Sequence, residues 1–397
     1  MGWTGQVPVV TSARNAVAAT FALNGFCFAT LASRIPDLRS GLGLDNGSLG
    51  LLLLAIAAGS VIALPSSGRL IELVSAAGVV RLGGVLTAVG LGTASIGVGA
   101  LGSVAVTAAG FFAYGLGTGV WDVAMNVEGA EVERYIGRTI MPRFHAAWSF
   151  GSIAGAAVGI PMAAVHAPLP VHLGGAGVLA AVAVAFLGRA FLPPTRVEEV
   201  RGVSRSAWLE PRTLAVGVMV LAFATVEGSA NDWLSLAVID GYDAAHWVGV
   251  LGFSVFVTAM TAGRMVGPVA LDRWGRAPVL WATSAAAATG ILLVVLGGHW
   301  LLVGVGIVVW GLGASLGFPV GMSAAADDPA RAAARVSVVS TIGYAAFLAG
   351  PPLLGQLGDR VGTLESLLAV AALMVPAALS VAAVRTPRIP ASSVVEG

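Results

Sequence analysis

The chain of 397 residues has no lysine, one cysteine and very little charge. The missing lysine points to genome composition rather than to chemistry, and it leaves arginine as the only strong cation. A lone cysteine, Cys27, excludes an internal disulfide and a thiolate metal cluster, and it suits a small apolar position in the first helix. Charged residues are 10% of the chain, against roughly 25% in soluble domains, and acids and bases nearly cancel at a net +1. Nucleic acid therefore has no basic footprint to bind. No Walker sequence occurs, so the energy source is a gradient rather than ATP. His166, His172, His246 and His299 are scattered through outer connections rather than set at ligand spacing, so no metal or other cofactor is expected. Met1 to Ser12 has no charged side chain, so it lacks the basic start of a removable signal, and the first helix is expected to stay as a span.

What remains is hydrophobic: 57% of residues, with a mean hydropathy of +0.90. Lipid is the expected solvent. About 20 apolar residues cross a bilayer core, and the chain divides into twelve such stretches: 13–33, 48–70, 79–99, 104–126, 145–165, 170–191, 213–236, 247–270, 278–298, 301–324, 336–356 and 366–384. An even number puts both termini on one side. Of the 21 arginines, only Arg34, Arg39 and Arg360 fall in connections on the other side. The positive-inside rule then makes the terminal side cytoplasmic and the location an inner, cytoplasmic membrane.

Pro193 to Pro211 is a polar run near the middle of the chain. It predicts two six-helix bundles, 1–192 and 212–397, joined by a linker at 193–211. The halves show weak similarity at a nearly constant offset. Arg14 matches Arg212, Gly68 matches Gly267, Tyr114-Gly-Leu-Gly117 matches Trp310-Gly-Leu-Gly313, and Arg143 matches Arg335. Four matches in chain order signal a duplicated bundle with a pseudo-two-fold axis along the membrane normal.

The connection Gly267-Pro-Val-Ala-Leu-Asp272-Arg273-Trp-Gly275-Arg276 resembles the cytoplasmic Gly, Asp-Arg, Gly-Arg signature of the major facilitator superfamily. The resemblance extends over essentially the whole chain. Its first-half copy keeps Gly68 and Glu72, but Val74-Ser-Ala-Ala-Gly78 replaces the Arg-rich turn, which argues against two symmetrical gate latches. Trp121-Asp122-Val-Ala-Met-Asn126, Arg143-Phe-His145-Ala-Ala-Trp148-Ser and Glu227 with Asp232-Trp233 are similar to a bacterial fucose permease-like branch. The resemblance implies an all-α fold of twelve membrane helices in two bundles. It also implies alternating access by a monomer to a small, sugar-like or weakly polar solute, with helices 1, 4, 7 and 10 lining the cavity. Export of a drug or metabolite by antiport stays open, as does a sensor or scaffold on the same fold. An enzyme would need a convergent nucleophile and base, and none occurs.

An ionisable group inside a span costs several kcal/mol unless it has a partner or faces a cavity. Glu227, past the middle of helix 7, is the leading candidate for loading a coupling proton or touching solute. Asn231 would share its face one turn on; an interhelical hydrogen bond is the alternative role. Asp122 and Asn126, at i and i+4, could join His145 and Trp148 in one cluster, Asp122 accepting from the imidazole. Either the cluster lines the inner vestibule with Asp122 as a second proton site, or it pins helices 4 and 5; its shallow depth favours pinning. Arg264 needs a partner, with Asp272, Glu128 and Asp122 as candidates, and an interdomain latch is favoured over anion binding. Arg273, Gly267, Gly68 and Glu72 complete the gate set. Asn24 is a candidate wall of the cavity. Trp121, Trp148 and Trp310 could stack on solute, although tryptophan in membranes more often packs or sits at the interface. Gly151, Gly155 and Gly159 form a smooth stripe for close helix packing. Pro319, Pro351 and Pro352 should break helices 10 and 11 locally.

Overall fold

The computed structural model describes residues 6–44, 46–193, 206–244 and 246–385. Most of the linker thus lies outside the described residues. Eleven helices among those described are long and apolar enough to cross a membrane. One of them, Asn46–Gly99, is two helices joined at Ser75, whose φ of 68° interrupts the helical path. Twelve spans result, matching the twelve hydrophobic stretches.

The first bundle holds α1 (Gln6–Ala32), α2 (46–74), α3 (76–99), α4 (Val104–Ile136), α5 (Met141–Ala164) and α6 (Gly175–Leu187). The second begins with α7 (Pro211–Ser229), which continues through a π-turn at Ala230–Leu234 into Ser235–Tyr242. It goes on with α8 (His246–Trp274), α9 (Arg276–Leu296), α10 (Trp300–Ala314 and Gly317–Ala325), α11 (Ala332–Val361) and α12 (Thr363–Ala372 and Met374–Ser380). The bundles meet where α2 packs on α11 and α5 on α8, two contacts that the internal repeat interchanges.

Apolar side chains cannot hold helices together in a solvent that is itself apolar, so close backbone approach must. The glycine stripe of α5 does this against α1: a Cβ on Gly151 would lie 1.9 Å from the Ala22 carbonyl oxygen, and one on Gly155 would lie 2.5 Å from that of Phe26. Several helices run past their expected ends, α1 beginning at Gln6, α7 continuing to Tyr242 and α11 spanning Ala332–Val361. α4 runs ten residues past its predicted end, because its last three turns are polar yet still helical. The break in α10 falls at Ser315–Leu316, just before Pro319, whereas α11 stays helical through Pro352 rather than breaking there.

Candidate functional site

Arg264 of α8 is buried, and its partner is Glu227, at 2.8 Å, rather than Asp272, Glu128 or Asp122. The two side chains are 3% and 14% exposed. The rest of the guanidinium fork is also used: Arg264 donates to the Ser149 hydroxyl of α5 at 3.2 Å and to the Ser315 carbonyl of α10 at 3.4 Å. Burying an arginine away from water is tolerable only with such pairing. One cation therefore joins α7, α8 and α10 of the second bundle to α5 of the first.

Beside it stands the α4–α5 cluster. Asn126 donates to the Asp122 backbone carbonyl at 2.9 Å and to its carboxylate at 3.3 Å, and its own amide oxygen lies 3.2 Å from His145 Nε2. Asn126 thus stands between the acid and the imidazole, where direct acceptance by Asp122 was expected. The imidazole meets Phe21 and Phe318 edge-on, at centroid distances of 5.1 and 5.6 Å. Asp122 is 6% exposed. Among the described residues no salt bridge reaches it. The Tyr344 hydroxyl of α11 stands next to its carboxylate and within electrostatic reach of Glu227. Two acids, a guanidinium, an imidazole and a phenol therefore form one group where the bundles meet. Because α4 extends to Ile136, Asp122 lies deeper than a helix ending at 126 would place it.

The remaining predicted residues divide. Trp148 donates its indole N–H to Asn24 at 3.0 Å and meets the Phe28 ring at a tilt of 36°, with centroids 5.4 Å apart. Trp121 and Trp310 are wholly buried inside their own bundles, Trp121 against Gly83 of α3 and Trp310 against Phe256 of α8 and Gly290 of α9. Asn231 is exposed and lies in the π-turn. A π-turn inserts one residue into the helix, which rotates Asn231 off the face that it would share with Glu227.

On the half nearer the chain termini, the bundles are latched. Asp272, in the last turn of α8, accepts the Thr139 backbone N–H of the α4–α5 turn at 2.9 Å. Glu133 of α4 accepts the N–H groups of Ile140 and Met141 at the start of α5, at 2.8 and 2.7 Å, and takes the Ser323 hydroxyl of α10 across the interface. Arg276 donates to that hydroxyl at 2.7 Å and stands 4.0 Å from the Glu133 carboxylate. Ser337 of α11 donates to the Leu64 carbonyl of α2 at 2.5 Å. Gly68 allows that approach, since a Cβ there would lie 2.9 Å from the Ala333 carbonyl oxygen. Gly267 instead packs inside the second bundle, where a Cβ would lie 2.5 Å from the Leu316 side chain. Arg273 lies over the Trp274 ring at 5.5 Å, and Glu72 is exposed. Sequence reasoning missed Glu133, Ser149, Ser323 and Tyr344.

Twelve apolar spans in two bundles, with the buried Arg264–Glu227 pair at the seam between them, define a multi-pass membrane protein. The Major Facilitator Superfamily model matches residues 17–351. A transporter of Sinorhizobium fredii, y4wD, is 32% identical over 348 residues, 86% of this chain and 90% of that protein. The chain belongs to the major facilitator superfamily. Among solved structures, the Escherichia coli fucose:proton symporter FucP is similar with a TM-score of 0.76 at 13% identity, over 93% of this chain and 97% of that one. The proton:xylose symporter XylE is similar with a TM-score of 0.77 at 12% identity, over 94% and 95%. At these identities the likeness is one of fold.

Proposed function

We propose that this transporter is a proton-coupled carrier of a small, weakly polar organic solute, working as a monomer in the cytoplasmic membrane by alternating access. The supporting observation is the double attachment of Arg264, which is ion-paired to Glu227 in its own bundle and hydrogen-bonded to Ser149 in the other. A proton on Glu227 cancels the charge that holds Arg264 in place, and breaking a buried pair on one side costs about 3–5 kcal/mol. Arg264 must then find another acceptor, and its bond to the opposite bundle changes with it. Proton loading and the bundle interface are thereby linked through one side chain.

Asp122 is the second proton site, reached through Tyr344, with Asn126 and His145 holding its orientation. Asn24 and Trp148 are solute contacts on the side of the cluster away from the latches. With the arginine-rich, latched face cytoplasmic, the carrier is closed on its cytoplasmic side. Two of the structural neighbours are named as sugar–proton symporters, which favours symport over efflux antiport. A thermal-shift screen of sugars, drugs and metabolites at two pH values tests the reading. The expected result is a solute that raises Tm by an amount dependent on pH, with that dependence lost in Glu227→Gln or Asp122→Asn. A solute effect that is the same at both pH values and in both variants would contradict it.

A further inference from the structure

We infer that the first bundle carries a binding site for an anionic phospholipid in a groove on its outer surface, formed by α1, α5 and α6. The groove has a volume of about 540 Å³ and an apolar lining. Its floor is made of small residues, Ala19, Ala22, Gly151, Ala154 and Ala183, and Phe186 closes the end nearer the termini. The floor belongs to three of the membrane spans, so hydrocarbon is the solvent at that depth. From Leu179 to Leu187 the groove follows α6 over nine residues, eight helical rises. That is about 12 Å at 1.5 Å per residue, which fits within one leaflet of a hydrocarbon core roughly 30 Å thick. The occupant of such a space is an acyl chain.

The headgroup is specified by what lies at the mouth. Arg189, one residue past the Gly188 cap of α6, is exposed and holds its guanidinium 4.9 Å above the Phe186 ring. A Cβ on Gly188 would lie 3.0 Å from Arg81 Nε, so a second arginine adjoins the first. Arg14 is exposed at the same end of α1, five positions before Ala19. Among the described residues no carboxylate pairs with any of the three. Other arginines at this face, such as Arg212, Arg276 and Arg335, are ion-paired. Arginines without carboxylate partners at the interfacial end of an acyl-sized groove, Arg14 bonded only to the neutral Asn15 amide oxygen at 2.9 and 3.1 Å, select a lipid phosphate with a net negative headgroup. Planar guanidinium forks suit phosphate oxygens, and the stacking on Phe186 pre-orients one of them.

The test is native mass spectrometry of the purified full-length chain with equal amounts of dioleoyl phosphatidylglycerol and dioleoyl phosphatidylcholine. The expected result is several-fold greater retention of phosphatidylglycerol. Arg189→Gln with Arg14→Gln should remove that preference, and Ala183→Phe, which fills the groove, should lower retention of both lipids. Equal retention of the two lipids by the native chain overturns the proposal, and so does unchanged retention in Ala183→Phe. Displacement by glycerol 1-phosphate, which has no acyl chain, also overturns it. Elution at the native volume checks folding, and the arginine variants test the headgroup independently of any packing change at Ala183.

Discussion

Replacing Ser323 with alanine should loosen the latched face of the transporter without weakening either bundle. The Ser323 hydroxyl donates to Glu133 across the interface and accepts from Arg276 at 2.7 Å within its own bundle. A hydrogen bond to a charged group is worth about 1.5–3 kcal/mol. Some of this is recoverable, because Arg276 already stands 4.0 Å from the Glu133 carboxylate and can close on it. The net bias toward opening is then about 1–2 kcal/mol, roughly a 5–30-fold change in the ratio of open to latched molecules. Glu133 keeps its two bonds to the start of α5, so Tm should hardly move. Spin labels on cysteines placed at Arg138 and Ala330, exposed positions on the two sides of the latch, would read the separation by double electron–electron resonance. The native Cys27 is fully buried and stays out of the labelling. The variant should gain a population at longer distance. Ser366→Ala, which removes a bond within the second bundle only, should not. If the Ser323→Ala and native distributions coincide, the latch reasoning is wrong.

Three further outcomes follow from the same geometry. Glu210, just outside α7, is pushed up by burial, but hydrogen bonds from Arg335 and Thr213 and the charges of Arg335 and Arg331 outweigh this, so its carboxyl is held below the ordinary 4.5. Its contribution to stability is thus complete above that value and is lost as pH falls through the lowered one; Glu210→Gln should lower Tm at neutral pH and flatten its fall in acid. Gly151→Ala must push α1 from α5, costing about 1–3 kcal/mol as overpacking, whereas Gly92, which has open space where a Cβ would go, should gain up to about 1 kcal/mol as alanine. Differential scanning fluorimetry in detergent separates these two signs. His145→Ala removes the partner of the Asn126 amide oxygen and the ring between Phe21 and Phe318; solute binding should weaken and its pH dependence should change, as read by titration across neutral pH.

The spans were legible because hydrocarbon imposes a length and a composition on each of them, and this single constraint yields all twelve helices. The close packing of α5 was legible too, since glycines at every fourth position have little other use. What escaped lay outside that constraint. The final turns of α4 carry Glu128, Glu131, Glu133 and Arg134 and so resemble a loop by hydropathy, which hid Glu133 and made Asp122 look shallow. The partner of Arg264 was missed because Glu227 lies 37 positions earlier on another helix, and one sequence carries no signal for pairing over that distance. Ser149, Ser323 and Tyr344 are residue types that also occur in spans for packing alone. Asn231 moved because a π-turn has no sequence signature comparable to that of a proline or a glycine. The tryptophans separated by depth, Trp148 reaching Asn24 and Trp121 and Trp310 remaining inside their bundles, a distinction that helical periodicity alone does not make.

In the proposed mechanism, a proton on Glu227 controls the bond Arg264 makes to the opposite bundle. Proteoliposomes containing native chain or Glu227→Gln, given a solute identified by thermal shift, measure it most directly through accumulation under an imposed pH gradient alongside counterflow exchange. Glu227→Gln should lose gradient-driven accumulation while still exchanging solute. Accumulation at the native level in Glu227→Gln would contradict it.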